Sequence, residues 1–177
     1  MSKKKAPKKA AKKAAARPKI TAKKKPSPIP AGYHSVTPYL VCRGAAEAIA
    51  FYKKAFGAKE KYRMAGPDGK VAHAEIVIGD SHVMLADENP DDGYVGPQTL
   101  GGAGVSLMLY VPDVDATFAR AVKAGAKVRR DVADQFYGDR VGTLIDPFGH
   151  VWSIGTHRED VSVDEAKRRM EALMKQG

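Results

Sequence analysis

The chain has 177 residues, with 30 Lys and Arg against 20 Asp and Glu, a formal charge of +10. Its 44% hydrophobic and 28% charged content are ordinary for a globular protein, and no apolar run is long enough to span a bilayer. Cys42 is the only cysteine, which excludes an intrachain disulfide and a thiolate metal cluster and makes a reducing cytoplasm the expected compartment.

The charge is unevenly placed. Twelve of the first 30 residues are Lys or Arg and none is acidic. Without those twelve, from Lys3 to Lys25, 18 basic residues face 20 acidic ones, so the remainder sits near −2. The first 30 residues carry no aromatic side chain, and Pro7, Pro18, Pro26, Pro28 and Pro30 interrupt any long helix. Such a segment cannot bury enough surface to offset its ordering entropy, so residues 1–32 are expected to be a disordered basic tail. They have the charge of a signal peptide but no apolar core, so secretion is not expected. The Lys-Lys-Ala units resemble tails of linker histones and of some bacterial nucleoid proteins. That implies nonspecific nucleic-acid association and a nucleoid-associated location; a solubilising extension is the alternative.

From Ser35 the pattern becomes strand, helix, then several strands, and it occurs twice. Val36–Val41 is β-prone, and Ala45–Phe56 places Ala48, Ile49, Tyr52 and Phe56 at helical spacing before Gly57 ends it. Strands are expected at Lys59–Met64, Val71–Ile78 and His82–Ala86, with turns at Gly66-Pro67-Asp68-Gly69 and Gly79-Asp80. A Gly/Pro/Asp-rich loop runs from Glu88 to Gly104, and Gly101–Gly104 reads as a hinge. The cycle restarts with a strand at Val105–Val111, a helix at Val114–Ala124, and strands at Val128–Asp131, Arg140–Asp146 and Val151–Gly155. Asp146-Pro147-Phe148-Gly149 suits a type I turn. Ser162-x-x-Glu165 forms a capping box for a last helix within 161–177, whose Val163, Ala166, Met170 and Leu173 should pack on the domain or on a partner subunit. The fold class is therefore α+β, with two tandem βαβββ modules at about 35–88 and 105–157 in one domain, 33–160.

The segments TPYLVCRGAAEAIAFYKKAFGAK, HAEIVIGDSHVMLADE and DQFYGDRVGTLIDPFGHVWSIGTHREDVS resemble the vicinal oxygen chelate superfamily of glyoxalases, extradiol dioxygenases and bleomycin- and fosfomycin-resistance proteins, in its PhnB-like branch. The resemblance covers residues 35 to 165. It implies half-barrels curled around a small-molecule cleft, and a homodimer. Metal-dependent members hold a divalent ion with His, Glu or Gln at four positions, which fall on Thr37, Met84, Ser106 and Ser153. None of these is an imidazole or carboxylate, so neither the metal nor its chemistry carries over, and no cofactor is expected.

Strand alternation gives the expected cleft lining: Thr37, Tyr39 and Val41; His82, Met84 and Ala86; Ser106, Met108 and Tyr110; Val151, Ser153 and Gly155. Arg140 is expected either to hold an anionic ligand at the pocket edge or to pair with Asp139 or Asp146. His73 and Glu75 share one strand face. They are the candidates for proton transfer or for a relocated metal, the alternative being a structural hydrogen-bonded couple. His150 is expected to stabilise its turn, Trp152 to pack in the core, and His34 and His157 to be incidental. Three functions follow: a metal-free small-molecule binding protein, an enzyme of the superfamily with unusual ligands, or a nucleoid-associated protein whose near-neutral domain leaves nucleic acid to the tail.

Overall fold

The computed structural model describes residues 26–175. The expectation of a disordered tail lies, for residues 1–25, outside the described residues. Residues 26–38 contain turns and bends but no helix or strand.

The first module runs β1 (Tyr39–Cys42), α1 (Ala45–Phe56), β2 (Lys59–Ala65), β3 (Val71–Ile78) and β4 (Ser81–Asp87). The second runs β5 (Ser106–Tyr110), α3 (Val114–Lys123), β6 (Lys127–Asp134), β7 (Asp139–Ile145) and β8 (Val151–His157). Between them lie a 3₁₀ turn at Pro90–Asp92 and the short α2 (Pro97–Leu100), and α4 (Val163–Met174) closes the chain. The expected hinge is thus partly a helix end, since Gly101 caps α2 at φ 80°. Two four-stranded mixed sheets result, ordered β1-β4-β3-β2 and β5-β8-β7-β6, with no closed barrel among the described residues.

The first strand starts later than its apolar run suggests. Pro38 has no N–H to give to a ladder. Its carbonyl instead accepts from Met84 N at 2.9 Å, and pairing begins at Tyr39. The repeat register holds: Tyr39 pairs with Met84 and Met108 with Ser153, both partners displaced by 69 positions between modules.

Helix α1 has no side-chain cap of its own. Asp87 Oδ1 accepts from Gly44 N and Ala45 N at 3.0 and 2.7 Å, tying the helix start to β4. In α3, Asp113 caps in the usual way by accepting from Ala116 N. The two helices pack on each other, each covering one face of its own sheet. Leu40, Cys42, Ala74, Ile76, Val83 and Leu85 face the helices in module one, and Leu144 and Ile154 do so in module two.

The DPFGH turn joins the modules. The buried Asp146 carboxylate accepts from Phe148 N and His150 N, both at 2.9 Å, and also from Tyr52 of α1 at 2.7 Å and Trp152 Nε1 at 2.9 Å. Phe51, Tyr52 and Phe56 of α1 form an aromatic cluster with Phe148 and Trp152. Four hydrogen bonds satisfy a charge that would otherwise be costly to bury.

Helix α4 is capped as expected, with Ser162 Oγ accepting from Glu165 N at 3.3 Å. Its apolar stripe does not pack on the domain: no α4 residue is buried, and Val163 and Leu173 are exposed. The helix is tied back instead by the Arg169 fork on Glu159, while Arg169 Nε also bonds Glu165 within the helix.

Candidate functional site

The sheet faces turned away from the helices carry the expected lining except Thr37, which precedes β1 and lies on no sheet. In module one the register places Tyr39, Met84, Glu75 and Tyr62 in one row across all four strands. Glu75 is only 4% exposed. Tyr62 donates to its Oε1 at 2.7 Å, and Tyr33, from the segment before β1, donates to its Oε2. Lys61 lies 3.6 Å from the same carboxylate and 4.5 Å above the Tyr33 ring.

A bulge explains how neighbouring residues reach one acceptor. Lys61 has no cross-strand partner between the Glu60 and Tyr62 pairs, so Lys61 and Tyr62 both turn to Glu75. His73 follows on the same face, with Nε2 3.6 Å from Glu75 Oε1 and Nδ1 3.1 Å from the Tyr39 hydroxyl. Tyr33 stacks on His82 at 4.0 Å, and His82 Nδ1 is buried without a partner among the described residues.

Burial opposes the charge on Glu75, but the bonds from Tyr33, Tyr62 and His73 and the Lys61 ammonium prevail and hold its pKa at about 2. The reciprocal bond to that carboxylate, with some burial, pushes Tyr62 up to about 12. Burial, then the neighbouring Tyr94, raises Tyr39. The result is an ionised carboxylate ringed by hydroxyls, an ammonium and an imidazole, with Met84 on its face.

Module two lacks this arrangement. Its row runs Met108, Ser153, Thr143 and Arg130, so Thr143 stands where module one has Glu75, bonded to Ser153 Oγ at 3.2 Å. Tyr110 donates to Asp139 at 2.7 Å, and His157 Nδ1 sits 2.7 Å from the same carboxylate with Nε2 3.0 Å from Asp160. His157, expected to be incidental, is therefore a clamp; its bonds to Asp139 and then Asp160 raise its pKa.

Half of the expected lining borders two separate spaces, while Val41, Met84, Ser106, Val151, Ser153 and Gly155 border neither. Thr37, His82, Met108 and Tyr110 border a cavity of about 450 Å³ between the two modules, with Val36 and Trp152. Tyr39 and Ala86 border another of about 730 Å³ with Tyr94 and the acidic loop at Glu88–Asp92.

Arg140 does not hold itself ready for an anionic ligand. Its guanidinium grips Asp115 of α3 through Nε and Nη2 at 2.9 and 2.8 Å and reaches Asp134 at 3.3 Å, neither of them the Asp139 or Asp146 expected from sequence. Cys42 and His150, 108 positions apart, meet with Sγ 3.6 Å from Nε2. Burial pushes the Cys42 thiol far up and His150 down, so the pair packs and does not activate a nucleophile. Tyr33 and Lys61 were missed by sequence reasoning. The one available signal was that Tyr33 is the first aromatic of the chain, at the edge of the basic segment.

A divalent ion does not fit the superfamily's four positions here. Thr37, Met84, Ser106 and Ser153 offer hydroxyls and a thioether where a catalytic ion takes imidazole and carboxylate. His73 and Glu75 acquire no third ligand, and among the described residues no three His, Cys, Asp or Glu side chains gather into a metal-holding group.

A model of the Glyoxalase/Bleomycin resistance protein/Dioxygenase superfamily matches residues 32–154. The chain belongs to that superfamily. It is 46% identical over 139 residues to the uncharacterized protein Rv0887c of Mycobacterium tuberculosis, covering 77% of this chain and 82% of that one. The X-ray structure of the Arabidopsis thaliana At5g48480 product is similar, with 28% identity and a TM-score of 0.58 over 69% of this chain and 98% of that one. The PhnB protein of Bacillus cereus shares the fold at 19% identity and a TM-score of 0.55, over 70% of this chain and 99% of that one. Among the described residues no helix is long and apolar enough to cross a membrane.

Proposed function

We propose that this superfamily member binds a small, partly aromatic organic molecule on the open face of its first module, without a metal, in a cytoplasmic setting. The observation that carries this is the Glu75 cluster. A buried, ionised carboxylate holds Tyr33, Tyr62 and Lys61 in place, so the rings beside it are fixed before a ligand arrives. Tyr39, Tyr94 and Met84 supply apolar and aromatic surface beside it. A second reading rests on the Tyr39–His73–Glu75 chain of contacts, which suits proton transfer on a bound substrate.

Exposed Met108 and Tyr110 on the open face of the second module favour a homodimer that covers them. Residues 1–32 are proposed to associate nonspecifically with nucleic acid through their lysines. The test is mass spectrometry of the full chain purified under nondenaturing conditions, together with elemental analysis. A retained organic molecule that is lost in Tyr39→Ala supports binding at this face. Stoichiometric nickel, zinc, iron or manganese would overturn the metal-free reading.

A further inference from the structure

Comparison of the two modules exposes an imbalance that the net charge hides. Edge strands β2 and β6 are both basic, as edge strands that avoid pairing with other chains are. On the β2 edge most of the charge is answered. Lys53 and Arg63 pair with Glu60, whose pKa they pull to about 2, and Lys61 pairs with Glu75, leaving Lys54 and Lys59.

The β6 edge differs. Residues 120–130 contain Arg120, Lys123, Lys127, Arg129 and Arg130 and no acidic residue; Asp131 and Asp134 follow on β6, where Asp134 is taken by Arg140 and Asp131 forms no ion pair with a described residue. All five are exposed, and none forms an ion pair with a described residue. The register gives the reason at the centre of the strip. β6 bulges at Arg129 as β2 bulges at Lys61, but the partner row offers Thr143 in place of Glu75. The two arginines therefore have the geometry of Lys61 and Tyr62 without the carboxylate that engages them.

We infer that the α3–β6 edge of the second module is a phosphate-backbone contact for nucleic acid, separate from the N-terminal segment. Avoidance of edge pairing accounts for some charge on both edges, but not for five cations left unanswered on one. Five cations spread along a strand and the helix packed on it suit a line of phosphates better than a single small anion. The same chain carries twelve further cations within its first 25 residues. This goes beyond the reading of the first-module site and does not depend on it.

The test uses the full chain and a short DNA duplex, with affinity measured at several salt concentrations. Each phosphate contact contributes about 0.9 to the slope of log affinity against log salt. Replacing Arg120, Lys123, Lys127, Arg129 and Arg130 together by Gln should lower that slope by about 3 to 4. Lys54→Gln with Lys59→Gln should leave it unchanged. A matching melting temperature shows that the five-site variant is folded, as expected for exposed residues without ionic partners. An unchanged slope in the five-site variant, or no duplex binding by the wild-type chain at 50 mM salt, overturns the inference. So does a dependence on these five residues seen only with phosphatidylserine vesicles, or only with inorganic phosphate at constant ionic strength.

Discussion

Replacing Glu75 by Gln removes the charge at the centre of the candidate site while keeping its shape. In the wild type, two tyrosine hydroxyls donate to the buried carboxylate, and Lys61 and His73 lie within 3.6 Å. Gln keeps one acceptor oxygen but presents an NH₂ where the second hydroxyl needs an acceptor. One charged hydrogen bond is lost and one donor is stranded, roughly 2–3 kcal/mol at neutral pH. For a chain of this size that corresponds to a melting temperature lower by about 4–10 °C. Because Glu75 is held at about 2 against an ordinary 4.5, its contribution is complete above pH 4.5 and is lost as pH falls toward 2. Urea unfolding of both proteins at pH 7, 4.5 and 3 should show a gap that narrows with acidity. A variant within about 0.5 kcal/mol of wild type at pH 7, or a gap that does not change with pH, would refute the reasoning.

Tyr52→Phe should cost about 1.5–3 kcal/mol in urea unfolding, because it takes a hydroxyl from buried Asp146 at the junction of the modules. Gly138→Ala should cost about 1–3 kcal/mol and expose residues 158–175 to protease. Gly138 sits at φ +98° and a Cβ would lie 2.2 Å from Glu159 O. In native protein Cys42 should resist thiol reagents and become reactive only on unfolding, since it is fully buried and burial pushes its thiol up. The His157 clamp should hold below pH 6.5 and loosen as pH rises through its raised pKa. Hydrogen exchange of the 157–160 amides should then accelerate beyond the intrinsic rate, and His157→Gln should lack this dependence.

Much of the fold is written in local pattern. Helix α1 is read as Ala45–Phe56 and found there, because an apolar 3.6-residue period ends at a glycine that adopts φ 69°. The two-module repeat is legible because each module must solve the same packing problem, one helix over one sheet. Strand β1 is misread by three residues at its start, since apolar character does not reveal that Pro38 cannot donate to the ladder. The expected packing of the α4 stripe on the domain fails for a different reason. An amphipathic pattern states that a face needs a partner, not where that partner is.

The candidate site divides along the same line. Alternation alone puts His73 and Glu75 on one face and Tyr39 and Met84 among its lining, because a strand's side-chain period is two. Residue identity alone puts hydroxyls and a thioether at the four positions where the resemblance implies metal ligands. Neither tells which side chains meet. Glu75 gathers Tyr33 from 42 positions away through a segment with no periodicity, and Lys61 through a bulge that sequence does not mark. Asp146 binds Tyr52 across 94 positions, and Arg140 takes Asp115 and Asp134 in place of Asp139 or Asp146. Sequence by itself determined the modules and the faces, since these depend on period and side-chain chemistry. Tertiary structure decided which charges are answered and which are left exposed, because cross-strand register and bulges set every partner.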